Sequence, residues 1–169
     1  MSQKKILFVC LGNICRSPSA EAVMKHLIKK EGLEDLISVD SAGILAYHIG
    51  EPADVRMQVH AGKRGYVLTS IARKINPEKD FEEFDYIITM DNDIYADVLD
   101  FDEHNNFRNK IYKMTQFNSE IEADEVPDPF YGKAEEFELV LDILEDACKG
   151  LLEKIKDELK SENQGTNRE

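Results

Sequence analysis

The stretch Val9-Cys10-Leu11-Gly12-Asn13-Ile14-Cys15-Arg16-Ser17 follows directly on the apolar run Ile6-Leu7-Phe8. The run predicts a buried strand that ends at Cys10. Pro18 is a favourable first residue for the helix that Ser19-Ala20-Glu21-Ala22-Val23-Met24 predicts. A strand, a tight loop and a helix start therefore meet at one thiol. The first N–H groups of a helix have no intrahelical partner, and a loop that contains Gly12 can turn them inward on a single anion. Leu11, Gly12, Asn13, Ile14, Cys15 and Ser17 thus outline a cradle for a phosphate-sized dianion.

A thiol between a helix N-terminus and a guanidinium is biased towards the thiolate, the nucleophilic form, which makes Cys10 a candidate nucleophile. Arg16 offers a planar fork of donors that matches two phosphoryl oxygens, a fit that lysine lacks. Ser17 can steady the sulfur when it becomes the leaving group. An isolated cysteine at a strand end would read as a core residue. Here the coincidence of strand, glycine loop, arginine and helix start outweighs that reading. An ordinary nucleotide-binding loop is excluded, because no Gly-Lys-Ser/Thr follows the glycine.

The run from Cys10 to Glu21, C-L-G-N-I-C-R-S-P-S-A-E, closely resembles the phosphate loop of the low-molecular-weight protein tyrosine phosphatases, and the resemblance extends over residues 5 to about 158. It implies hydrolysis of phosphotyrosine and small aryl phosphates, with Cys10 as nucleophile and Arg16 as the phosphoryl-binding group. On spacing alone Asp128, in Val126-Pro127-Asp128-Pro129-Phe130-Tyr131, reads as an acidic surface turn. The resemblance makes it the general acid, on a loop that two prolines stiffen. Phe130 and Tyr131 then wall a slot for a flat ring, and Tyr47 matches an aromatic on the opposite wall. The implied path runs through a phosphocysteine on Cys10 and releases inorganic phosphate, with no metal and no cofactor. Cys15, five residues from Cys10, is expected to trap an oxidised Cys10 as a reversible disulfide.

Three positions depart from the family's pattern. Ser70, in Ser70-Ile71-Ala72-Arg73, stands where relatives often carry a histidine that supports the loop asparagine; its hydroxyl is expected to reach Asn13 through Ser41 or water. Phe130 replaces the first of a tyrosine pair, and His48 stands where relatives can carry an acid. Arsenate reductases share the fold and loop, but residues 89–97 hold no relay cysteine. Protein-arginine phosphatases tend to carry threonine where Ile14 stands. These two activities, and a phosphotyrosine-binding module without chemistry, are the alternatives.

At 169 residues the chain suits one domain, placed at residues 1–160. Three cysteines make no disulfide framework, and no signal peptide or membrane-spanning run is present, so a cytoplasmic location is expected. The net charge of −13 argues against nucleic acid and anionic membrane as partners, leaving phosphotyrosine-containing proteins or peptides. Asp91-Asn92-Asp93 lacks the later oxygen ligand and glycine of a calcium loop and reads as a helix start. His26, His48, His60 and His104 show no ligand spacing and are expected at the surface.

Periodicity predicts strands over residues 4–9, 36–40, 85–90 and 110–114. Helices are predicted over 18–30, 53–64, 91–99 and 134–159, with Ser41-Ala42-Gly43 as a loop and 161–169 as a disordered tail. Phe137, Val140, Leu141, Leu144, Ala147, Cys148, Leu151 and Ile155 form one apolar stripe. The expected fold is α/β: a single-domain doubly wound sheet of four parallel strands flanked by helices, with the phosphate loop between strand 1 and helix 1.

Overall fold

Along β1 (Lys4–Cys10) the buried side chains alternate between two cores: Ile6, Phe8 and Cys10 join one cluster, Leu7 and Val9 another. The computed structural model describes residues 3–166. An uninterrupted apolar strand is stable only where both faces are covered, and here both are. β2 (Ile37–Gly43), β3 (Tyr86–Thr89) and β4 (Ile111–Lys113) complete one parallel sheet in the order β2-β1-β3-β4. β1 pairs with β2 from Lys4↔Ile37 to Cys10↔Gly43, and with β3 from Ile6↔Tyr86 to Val9↔Thr89.

The helices are α1 (Arg16–Lys30), α2 (Val55–Lys63), α3 (Pro77–Glu83), α4 (Asn92–Phe101) and α5 (Ala134–Thr166). On one face α1 supplies Ala20, Val23, Met24 and Ile28, and α5 supplies Val140, Leu144, Cys148, Leu151 and Ile155. On the other, Phe81 of α3 and Ile94 and Val98 of α4 cover Leu7, Val9 and Ile87. Each large aliphatic or aromatic side chain so buried contributes about 1.5–3 kcal/mol. Because the chain leaves β1 to one side for β2 and returns to the other for β3, the carboxyl end of β1 is the switch point where such sheets bind ligands. Cys10 is the last residue of that strand.

The structure revises several expected boundaries. β2 runs on through Ser41-Ala42-Gly43, which pair with Phe8, Val9 and Cys10 instead of forming a loop. Cross-strand hydrogen bonding to a buried neighbour overrides the weak strand propensity of serine, alanine and glycine. α3 is not predicted by periodicity; Phe81 and Asp80 are its only buried residues, too few to show a period. Its start is nevertheless marked, with Asn76 at the N-cap and Pro77 in the first turn. The expected disordered tail is helix as far as Thr166, and residues 167–169 lie outside the described residues. His26 and His104 are exposed, whereas His48 and His60 are half-buried, their Nδ1 atoms 2.7 Å from Glu51 and 2.8 Å from Glu138.

Candidate active site

The loop between β1 and α1 is held from below by β2. A Cβ on Gly43 would lie 2.9 Å from the Leu11 carbonyl oxygen and 3.0 Å from the Asn13 nitrogen. Only glycine lets the loop backbone pass that close. The loop turns at Asn13, whose φ of +57° lies in the left-handed region that asparagine tolerates. α2 and α4 are capped by the carboxylates of Asp54 and Asp91, but Cys15, at the N-cap of α1, makes no side-chain cap. The first turn of α1 carries no acidic residue either, so its N–H groups and positive dipole end favour an external anion.

Asn13 is fully buried and fixed on both sides. Its Oδ1 accepts from the Arg73 N–H at 3.0 Å, and its Nδ2 donates to Ser17 Oγ at 2.8 Å and Ser41 Oγ at 3.0 Å. Ser17 Oγ lies 2.9 Å from Cys10 Sγ. The expected support from Ser70 is not there: its buried hydroxyl has no hydrogen-bond partner among the described residues, and Ser41, Ser17 and Arg73 hold Asn13 without it. Asn13 and Ser17 thus sit behind the loop, not on the pocket surface.

Arg16 is 2% exposed, and protein acceptors take only one edge of its guanidinium. Nη1 donates to Asp91 Oδ2 at 2.7 Å and to the Val126 carbonyl at 3.1 Å, which uses both of its hydrogens. Nη2 lies 3.7 Å from Asp128 Oδ2. The Nε and Nη2 edge is left to form a two-point fork on a phosphoryl group. Burial works against the guanidinium charge, but the Cys10 sulfur and the carboxylates of Asp91 and Asp128 outweigh it and hold the Arg16 pKa above its ordinary value. Sequence reading identified Asp91 only as part of a helix start. Its other oxygen does cap α4, accepting from the Ile94 N–H at 2.8 Å.

Cys10, Leu11, Gly12, Ile14, Cys15, Arg16, Tyr47, Asp128, Phe130 and Tyr131 line one pocket of about 380 Å³. Leu45 and His48, which sequence reading did not place there, line it too. Asp128 is folded back on its own loop, Oδ1 accepting from the Phe130 N–H at 3.1 Å, while Oδ2 faces Arg16. Tyr47 and Tyr131 are 83% and 96% exposed and stand at the mouth; Phe130 lies deeper, under Arg56, whose guanidinium carbon is 5.4 Å from its ring centre. His48 crosses above the loop, so that a Cβ on Gly12 would come within 2.9 Å of its Cδ2. Burial first, and then the Asp54 carboxylate, push the Cys15 thiol pKa up, which keeps that group neutral.

The family model described as low molecular weight phosphotyrosine protein phosphatase matches residues 5–161. The rat protein of that name is 39% identical over 155 residues, covering 91% of this chain and 97% of its own. A crystal structure of protein tyrosine phosphatase from Entamoeba histolytica is 48% identical, with a TM-score of 0.89 over 92% of this chain and 98% of that one. The structure of a Drosophila arginine phosphatase is also similar, at 31% identity and a TM-score of 0.83, covering 90% of this chain and 98% of that one.

Proposed function

The chain belongs to the low molecular weight phosphotyrosine protein phosphatase family, a family of hydrolases, and from that premise we propose that it cleaves phosphotyrosine through a phosphocysteine on Cys10. The observation that carries the reading is convergence: Cys10, the guanidinium of Arg16 and the carboxyl of Asp128 line the same pocket, at an uncapped helix N-terminus.

The Cys10 thiolate attacks phosphorus, forming the S–P bond as the bond to the tyrosine oxygen breaks. Arg16 and the N–H groups from Leu11 to Ser17 hold the equatorial oxygens, where negative charge is spread in the transition state. Asp128 protonates the departing phenolate. Water then attacks phosphorus and gives its proton to Asp128; the S–P bond breaks, the thiolate is restored with Ser17 donating to it, and phosphate leaves. Tyr47, Phe130 and Tyr131 flank the substrate ring. A slot this size rewards a long aryl ester, whereas phosphoserine is too short to bring its phosphorus to Cys10. Ile14 on the pocket wall and the aromatic mouth favour phosphotyrosine over phosphoarginine.

Two further elements belong to this reading. Peroxide converts the Cys10 thiolate to a sulfenic acid; the Cys15 thiol then forms the S–S bond as the sulfenic S–O bond breaks, its proton passing to the departing hydroxyl so that water leaves, and cellular thiols reduce the disulfide. The second is a reducing, cytoplasmic setting, since a cysteine nucleophile acts only while its thiol is kept reduced.

The test is steady-state hydrolysis of a phosphotyrosine peptide beside matched phosphoserine and phosphoarginine peptides, with reductant and without metal. Turnover confined to phosphotyrosine is expected, and Cys10→Ser should abolish it while still binding phosphate. Full activity in Cys10→Ser would overturn the mechanism, and preference for phosphoarginine would move the protein to the sister activity.

A further inference from the structure

The loop that carries Asp128 is a wall to two cavities. Asp128 lines the active-site pocket, and the residue before it, Pro127, lines a groove of about 360 Å³ between residues 121–127 and α5. The floor of the groove is apolar, made by Ile121, Ala123, Pro127, Leu139 and Ile143. Leu139 is 45% exposed, and Ile121 and Ala123 are only partly buried against the core. Covering this surface with an aliphatic side chain would remove apolar area from water on both partners.

The rim is acidic. Glu122, Asp124 and Glu125 stand on it, all exposed. Glu125 is engaged, its Oε1 accepting from the Asn92 N–H at 3.0 Å. Among the described residues, no lysine or arginine closes on the carboxylate of Glu122 or Asp124. The next carboxylates along α5 differ: Glu138, Asp142 and Glu145 all converge on Arg64 and are neutralised within the fold. Residues 119–128 contain Glu120, Glu122, Asp124, Glu125 and Asp128 and no lysine or arginine. An apolar floor beneath uncompensated carboxylates is complementary to an aliphatic residue beside lysine or arginine. The net charge of −13 adds a bias in the same direction by repelling acidic sequences.

Groove and pocket are also held in register. Between them the Val126 N–H donates to the Met90 carbonyl at 2.8 Å, and the Val126 carbonyl accepts from Arg16 at 3.1 Å. Pro127 and Pro129 restrict the backbone on either side of Asp128.

We propose that the groove is a docking subsite for the phosphotyrosine substrate itself. While the phosphorylated ring enters the pocket, a segment of the same substrate chain crosses Pro127-Asp128-Pro129 and seats an aliphatic residue in the groove, with neighbouring lysine or arginine on Glu122 and Asp124. The inference rests on the phosphatase reading and adds to it a preference for basic-aliphatic sequence on one side of the phosphotyrosine. Docking of this kind holds ground state and transition state equally, so it lowers KM and leaves kcat unchanged.

The probes are phosphotyrosine peptides carrying Leu-Lys-Lys before or after the phosphotyrosine, beside matched Leu-Glu-Glu and Ser-Lys-Lys peptides. An extended chain advances about 3.3 Å per residue, so spacers of about three to six residues sample about 10–20 Å. The best Leu-Lys-Lys peptide is expected to show a KM about tenfold below its Leu-Glu-Glu match, from partial burial of leucine and two exposed ion pairs. Salt near 1 M, where the Debye length is about 3 Å, should remove most of that gap. Glu122→Gln with Asp124→Asn should remove it as well, and Leu139→Ser should abolish the advantage of Leu-Lys-Lys over Ser-Lys-Lys. Turnover of p-nitrophenyl phosphate should be that of wild type in these variants. Equal KM for all peptides, a gap that survives in the variants, or equal binding of Leu-Lys-Lys and Ser-Lys-Lys peptides would each overturn the proposal. So would a dimer in sedimentation that Leu139→Ser dissolves, since the groove would then belong to a second copy of the chain. Peptide Kd in Cys10→Ser reads the same gap without turnover. A wild-type chain that hydrolyses none of the peptides therefore fails the phosphatase reading, whereas one that hydrolyses them all with equal KM and Kd fails only the docking subsite.

Discussion

Replacing Asp91 by alanine removes two interactions made by different oxygens of one carboxylate. Oδ1 caps α4, and loss of such a cap costs about 1 kcal/mol. Oδ2 holds Arg16, which is fully buried, while the Asp91 side chain is 20% exposed. Removing one partner of a fully buried pair costs about 3–5 kcal/mol; here Val126 and Asp128 still face the guanidinium and the pair is partly solvated, so about 2 kcal/mol is the reasonable share. The sum, about 3 kcal/mol, corresponds to a fall in Tm of about 6–12 °C for a chain of this size. Asp91→Asn keeps a capping oxygen and loses the charge, so its Tm should lie between wild type and Asp91→Ala. With its anchor gone, the Arg16 fork is free to turn from the equatorial phosphoryl oxygens. Loss of one such preorganised group costs about 10²-fold in kcat, which p-nitrophenyl phosphate turnover at saturation would read. An Asp91→Ala variant that melts within a degree of wild type and turns over at the wild-type rate would show that Asp91 neither caps α4 nor anchors Arg16.

Gly43→Ala should be more damaging than a methyl group suggests. The new Cβ would meet backbone atoms of Leu11, Gly12 and Asn13 at 2.9–3.0 Å, none of which can swing aside. A loss of at least about 1–3 kcal/mol is expected from overpacking, read by thermal denaturation, with kcat/KM reduced as the loop lifts. Cys15→Ser should leave activity in reductant close to wild type but turn reversible peroxide inactivation into irreversible loss, read as activity recovered with dithiothreitol; equal recovery would rule out the disulfide. Asp146 accepts from Asn118 Nδ2, the Ser119 hydroxyl and the N–H groups of Ser119, Glu120 and Ile121. Burial alone would raise its pKa, but these bonds outweigh it and hold it below the ordinary value. Its stabilisation is therefore present above the unfolded pKa near 4 and is lost as pH falls through the lower folded value. Asp146→Ala should cost about 3 kcal/mol near neutral pH and progressively less in acid, measured by urea denaturation across pH.

Much of the fold is legible because β1 carries its reading in a continuous apolar run and α5 in a regular stripe. The phosphate loop is legible because its residues are contiguous, so spacing alone brings Cys10, Gly12 and Arg16 together. What the chain assembles across distance is not. Asp91 reaches Arg16 from 75 positions away, and its acidic neighbourhood reads correctly as a helix start without revealing that second bond. Glu21 looks like a solvated helix residue until β2 is placed beside α1 and Ser41 closes over it. Ser41-Ala42-Gly43 reads as a loop because none of the three favours a strand; only the register with Phe8, Val9 and Cys10 makes them one. Leu45 and His48 are spaced like ordinary loop residues, and their place on the pocket wall comes from the loop's path back over Gly12.

The uncapped start of α1 has a consequence for how long the protein lasts as well as for what it does. A helix whose first turn has no side-chain acceptor of its own takes an anion from solution as the missing part. On the proposed mechanism phosphate, the product of the reaction, would serve as a removable piece of the fold. Bound at one hundred times its dissociation constant it would add about 2.7 kcal/mol to stability. The phosphate level of the surroundings then sets two things at once, the fraction of enzyme that is inhibited and the fraction that is protected from unfolding. Enzyme held idle by its product is also enzyme held in reserve.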